Sequence, residues 1–276
     1  MNMIVLVGAF LISMIPVLGM YFWLKTRAGQ NDPESYKQLC RKGFMSGILS
    51  TFLVIPMSGI IALTLSLLGL RDGSSLLASA LHDFIVLAFS EEVVKSVMFY
   101  RLMKKAEYDY SWLDMTALMV IVSIGFEVLE SLIYAFGTDA IQMLVRGITL
   151  MHGGYGFIEG YFYGMAAYTK KKWYAVIGFL ISWILHGSFD FGLSEDFVEL
   201  SENAVLLSVS LALLALVFVV VMIIFFGKKK KKAKYLEPLH LYDALEEEKS
   251  AEKTEAESAE KPASDGTAPS DQSAAE

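Results

Sequence analysis

A single cysteine, Cys40, in a chain of 276 residues excludes an internal disulfide and leaves no CxxC pair for a metal knuckle. Charge is scarce: 19% of residues are charged against 55% hydrophobic, a balance outside the range of ordinary soluble domains. The HExxH signature of zinc peptidases is missing, and no repeat of solenoid type is visible. The first apolar run lacks a basic n-region and an A-x-A-like site, so it reads as a retained helix and not as a signal peptide. The net charge of −7 arises mostly in the polar C-terminal tail, and nothing in its distribution suits nucleic acid.

What the chain has instead is long apolar runs. Seven spans, at about 3–24, 44–70, 79–103, 112–137, 142–169, 173–193 and 203–227, are each long enough to cross about 30 Å of hydrocarbon as a helix. Basic residues follow the odd-numbered spans: Lys25, Arg27, Lys37, Arg41 and Lys42; then Arg101, Lys104 and Lys105; then Lys170 to Lys172; then Lys228 to Lys232. The positive-inside rule therefore predicts an all-α integral membrane protein with its N-terminus outside and its C-terminus cytoplasmic. Residues 1–227 form the transmembrane domain. Residues 228–276 form a basic anchor, which also suits anionic lipid, and an acidic tail. The distal tail has too few large apolar residues to offset the entropy of ordering, so disorder is expected there.

Ionisable residues are absent from spans one, two and seven and concentrated in the other four: Glu91, Glu92 and Lys95; Glu127 and Glu130; Arg146, His152 and Glu159; His186 and Asp190. A charge at mid-bilayer costs about 2.5–3.5 kcal/mol on insertion scales, so ten such groups in four neighbouring spans must face one another or a wet cavity. Helical spacing agrees. Glu91 and Lys95 are four apart and can pair, as are Phe126 and Glu130, and His186 and Asp190. His152 and Glu159, seven apart, lie on one stripe. Gly156, Gly160 and Gly164 form a small-xxx-small face for close helix approach. At 1.5 Å per residue, Glu91, Glu130, His152 and His186 fall at similar depth, roughly 10–17 Å below the outer surface. His82 and Asp83 read as interfacial, and His240 as solvated.

Such a chamber suits general acid–base hydrolysis. A glutamate kept ionised by Lys95 can take a proton from water, and histidines from other helices can stabilise an oxyanion or protonate a leaving amine. Asp190 can fix the ring of His186. His152, His186 and Glu91 or Glu92 would also make a His₂Glu zinc site, so metal-free and zinc-dependent chemistry both stay open.

Four motifs, each inside its own span and in order over about 79–193, carry a resemblance: EEVVK, GFEVLES, RGITLMHGG and LHGSFD. The sequence resembles the PrsW family of intramembrane proteases, which is distantly similar to the CAAX prenyl endopeptidases and the bacteriocin-processing enzymes. The resemblance implies a multi-pass bacterial cell-membrane endopeptidase acting on a membrane-anchored protein, with an anti-sigma factor as the family's associated substrate. By the same likeness Glu91 and Glu92 would activate water, His152 would be a second catalytic group, and His186 with Asp190 would complete the site. Glu130 would belong to the second motif, with Lys95, Phe126 and Glu127 in support. Two features depart from the pattern: Ser131 follows Glu130 where the more typical form has asparagine, and the acidic tail lies outside it.

Two other classes of function use the same residue types. A proton-coupled transporter would employ intramembrane Glu, His and Lys as a relay, but no inverted repeat or paired broken helix accompanies them. A non-catalytic membrane scaffold would use the glycine face for helix binding.

Overall fold

The computed structural model describes residues 3–70, 75–105, 108–134, 147–194, 197, 204–228 and 233–239. Within these residues there is no strand, only an isolated antiparallel bridge between Ser111 and Pro238. The helices are α1 (Met3–Leu24), α2 (Pro33–Leu67), α3 (Leu76–Leu81), a π-helical stretch (His82–Phe89), α4 (Ser90–Lys105), α5 (Trp112–Tyr134), α6 (Met151–Thr169), α7 (Trp173–Leu193) and α8 (Ala204–Gly227). The expectations for Arg146, His240 and the distal tail fall outside the described residues.

Five helices, over Val5–Leu24, Pro33–Leu67, Trp112–Ile133, Trp173–Leu193 and Val209–Gly227, are long and apolar enough to cross a membrane. The two other expected crossings include Glu91, Glu92 and Lys95 in one and His152 and Glu159 in the other. One is an unbroken helical run from Leu76 to Lys105, and the other includes α6, which has 19 residues. Large apolar side chains such as Leu11, Ile15, Phe52, Ile60, Leu213 and Val217 face outward on α1, α2 and α8. An exposed apolar surface of that extent is suited to lipid hydrocarbon and not to water.

Local chemistry sets the helix ends. Asp32 caps α2 by accepting from the Ser35 amide at 3.1 Å, with Pro33 pre-set for the first turn. Ser75 caps α3 in the same way through the Ala78 amide. The chain enters α6 through Leu150 at φ 46°, a left-handed conformation that is strained for a bulky residue, and Lys170 at φ 57° ends the helix.

Helix α5 is the hub. Leu113, Ala117, Leu118, Met119, Val120, Ile121, Val122 and Ile124 are all fully buried, and α2 and α6 pack along separate flanks. Small residues make both contacts close. A Cβ on Gly156, Gly160 or Gly164 of α6 would collide with Ser123, Thr116 and Met119, or Trp112 of α5. On the other flank a Cβ on Gly47 would strike the Val122 carbonyl. Gly47→Ala is therefore expected to destabilise the protein by about 1–3 kcal/mol through overpacking against backbone. Gly59→Ala in the same helix, where no atom lies within 4 Å, is expected to be neutral or better. Thermal unfolding of the two variants in one detergent checks the contrast.

At one end of the bundle Asp114 ties three segments together, accepting from the Gly29 amide at 2.6 Å, the Ser111 amide at 2.9 Å and the Tyr108 hydroxyl at 3.3 Å. Burial, with the Asp114 carboxylate beside it, holds the Tyr108 phenol well above its ordinary pKa. Residues 233–239 return to this end. Tyr235 packs its ring edge on Trp112, the Leu239 amide donates to the Tyr110 carbonyl at 2.8 Å, and Leu239 is buried in the core.

Candidate active site

Each polar helix presents one part of a single cluster. Helix α4 begins at Ser90, directly after the π-helical stretch, so Glu91 and Glu92 occupy its first turn. The wider π turns are stabilised from α7, where Trp183 Nε1 donates to the Phe84 carbonyl at 2.6 Å. This contact, with the Phe84 ring seated against Gly187, aligns the start of α4 with the turn of α7 that bears His186.

Glu92 lies at the centre and is fully buried. Its Oε1 accepts from Lys95 Nζ at 2.7 Å and lies 2.5 Å from His186 Nδ1. The i,i+4 spacing suggested Glu91 as the partner of Lys95; the close ion pair instead forms with Glu92, at i,i+3. The reason is geometric. His186 approaches from α7 and shares Glu92 Oε1 with the ammonium, whereas Glu91 turns toward the far side of the ring, its Oε2 3.6 Å from His186 Nε2. That same nitrogen lies 3.2 Å from Asp190 Oδ2, so the expected His186–Asp190 pair is made. Carboxylate oxygens face both ring nitrogens of His186, which suits an imidazolium.

His152 is oriented differently. Lys95 Nζ lies 3.1 Å from its Nδ1, and Glu130 Oε2 lies 2.6 Å from its Nε2. An ammonium can only donate, so Nδ1 accepts and the ring proton sits on Nε2, pointing to Glu130. The two imidazoles meet edge to face with centroids 5.0 Å apart. Phe126 supports both halves, its ring 5.1 Å from His152 and 5.1 Å from Lys95 Nζ. Glu91, Glu92, Lys95, Phe126, Glu130, His152, His186 and Asp190 thus come together from four helices. Glu127, next to Phe126 in α5, is buried as well.

Some neighbours were not legible in the motifs. Tyr155 stacks on His186 with centroids 5.0 Å apart, and it also lines a small apolar cavity with Leu185, Leu211, Leu214, Ala215 and Phe218. It lies three residues after His152, so helical spacing alone puts it on the face of the membrane histidine. Asp83, expected at the interface, is buried, with His82 Nδ1 3.1 Å from its Oδ1. Glu159 sits apart from the cluster, with Ser96 and Tyr163.

The donor set fits a divalent metal. Glu91, His152 and His186 each offer one ligand atom, all within 4.8 Å of one another, and the buried Glu91 Oε2 has no hydrogen-bond partner among the described residues. Both nitrogens of His152 are engaged, so a metal there would displace either Lys95 or Glu130 from the ring.

The chain is similar in sequence to known proteins. The family model described as PrsW family intramembrane metalloprotease matches residues 36–226, more than half of the chain. A protein named Protease PrsW from Shouchella clausii is 32% identical over 124 residues, covering 42% of this chain and 56% of that protein. Its namesake in Geobacillus kaustophilus is 26% identical over 62% of this chain and 72% of its own length. The Clostridioides difficile protein of the same name is 24% identical over 68% of this chain and 80% of its own length. No solved structure matches. The chain belongs to the PrsW family of intramembrane metalloproteases.

Proposed function

We propose that this protein is an endopeptidase of the bacterial cell membrane that cuts a membrane-anchored protein near its extracytoplasmic end. The observation that carries the reading is the buried cluster itself: a carboxylate pair, two imidazoles and one ammonium, drawn from three helices, joined by Glu130 from a fourth, and engaged with one another. Family membership supports it. The topology that accompanies this reading has seven crossings. The run Leu76–Lys105 and the segment ending at Thr169 add to the five apolar helices, and an odd number puts every basic cluster on the cytoplasmic side.

In this mechanism Glu92 is the general base. The Lys95 ammonium keeps it ionised, and its Oε2, buried and without a hydrogen-bond partner among the described residues, is free to accept a proton from water. The hydroxide equivalent attacks the scissile carbonyl. His186, charged between Glu92 and Asp190, donates to the oxyanion as it forms. Glu92 then passes its proton to the leaving amine as the C–N bond breaks. His152, whose ring nitrogens are taken by Lys95 and Glu130, holds the Lys95 ammonium against Glu92, and Glu91 orients the water. Glu91, His152 and a neutral His186 are the residues that would hold a metal ion, which would acidify water and polarise the carbonyl in place of the imidazolium. An anti-sigma factor is the substrate class that the family likeness suggests.

The test is cleavage of a single-span membrane peptide by purified protein in lipid nanodiscs. We expect a cut near the extracytoplasmic end of the peptide helix, and loss of activity on treatment with a strong chelator, restored by zinc. Absence of cleavage across a panel of membrane-anchored peptides, together with proton flux in liposomes, would sink the reading.

A further inference from the structure

Glu159 is fully buried in α6, yet it has no place in the mechanism above. Its Oε2 accepts from Ser96 Oγ at 3.0 Å and from the Tyr163 hydroxyl at 3.3 Å, and those two hydroxyls are 2.8 Å apart. Its Oε1 is buried without a hydrogen-bond partner among the described residues. The Tyr163 ring is stacked on Phe99 of α4, with centroids 5.7 Å apart. A buried carboxyl with one oxygen unanswered is costly. An apolar side chain would fill the position more cheaply if only packing mattered there.

The location suggests what is gained. Ser96 lies four residues after Glu92 on α4, about 6 Å along the axis, and Glu159 lies seven after His152 on α6, about 10 Å along. The Glu159 group therefore forms a second rung below the first, between the same two helices. Helix α4 packs its backbone closely against α2 and α5 but makes few close backbone approaches to α6. Long side chains span that gap: Lys95 to His152 in the upper rung, and Ser96 and Phe99 to Glu159 and Tyr163 in the lower. Helix α5, which packs on both, sets the general placement of α4 and α6, and these rungs are the direct ties that set the fine register between them.

We propose that Glu159 is a positioning residue. Through Ser96 and Tyr163 it sets the spacing of α4 and α6, and with it the contact between Lys95 and His152 on which the site's hydrogen bonding depends. The kinetic part rests on the protease reading; the structural part does not. The substitution Glu159→Gln keeps a carbonyl oxygen for both hydroxyls, whereas Glu159→Leu leaves them no acceptor on that side chain.

The experiment compares Glu159→Leu, Glu159→Gln and Ser96→Ala in the full-length protein in nanodiscs. Steady-state cleavage should show kcat about 100-fold lower for Glu159→Leu with KM unchanged, the scale expected when a catalytic constellation is misplaced by about 1 Å. Glu159→Gln should stay within about threefold of the unmodified enzyme, and Ser96→Ala should lose about tenfold, following the strength of the bond each retains. Spin labels at the exposed positions 100 and 168 give a readout independent of turnover. Their distance distribution should widen in Glu159→Leu and not in Glu159→Gln. Unchanged kcat and an unchanged distribution in Glu159→Leu would overturn the proposal, as would equal impairment of the two variants. If Glu159→Leu fails to fold, Ser96→Ala decides by the same two readouts. If no form cleaves any peptide, the protease reading fails and the distance distribution still decides the role of Glu159.

Discussion

Glu92→Gln is expected to lower kcat for peptide cleavage by about a thousandfold, within the range attributed to a positioned acid–base group. The substitution keeps nearly the same shape. Its carbonyl oxygen can still accept from Lys95 and from His186, so the helices stay in register. What it removes is the ability of the second oxygen to take a proton. The variant should therefore express, insert and bind a membrane peptide with little change in KM, and hydrolyse it at the residual rate. Single-turnover cleavage with the substrate-bound fraction measured in parallel separates the two. A Glu92→Gln protein retaining more than about a tenth of the normal rate would remove Glu92 from the role of base. Under the same assay Asp190→Asn is expected to have a smaller effect, because Glu92 still holds one nitrogen of the His186 ring.

The second large effect concerns stability. Lys95 and Glu92 are both fully buried and in direct contact. Removing one partner of a buried ion pair leaves an uncompensated charge and costs about 3–5 kcal/mol; replacing both by apolar residues of similar size is often neutral or stabilising. Lys95→Met alone leaves Glu92 beside Glu91 with only the His186 ring to compensate, so a loss near the lower end of that range is expected in detergent unfolding. The double substitution Glu92→Leu with Lys95→Met should recover most of it while abolishing cleavage. That outcome would establish that the pair is retained for chemistry at the expense of stability. If the double variant were as unstable as the single one, the pair would instead be holding the four helices together.

These predictions centre on a detail the sequence left open. From EEVVK alone the i,i+4 spacing points to Glu91 as the partner of Lys95, although Glu92 at i,i+3 is within reach as well. His186 resolved it, because a ring arriving from α7 shares Glu92 Oε1 with the lysine. The same limit applies to Ser96 and Tyr163. Hydroxyl residues are common in apolar helices and mark nothing until a carboxyl such as Glu159 lies against them.

By itself the sequence determined the all-helical class, because uncharged apolar runs of this length must satisfy their backbone internally. It also determined which helices carry the polar residues, because charge in such runs is too costly to scatter at random. It marked the small-residue face of α6, which packs on α5 at Gly156, Gly160 and Gly164. Only the tertiary structure decided which oxygen meets which nitrogen, how the π-helical stretch aims Glu91 and Glu92 at α7, and that residues 233–239 return to the bundle. The physical reason is range. Periodicity and insertion cost act along one helix, whereas hydrogen bonds between helices depend on their rotation and spacing, which close packing of all of them fixes together.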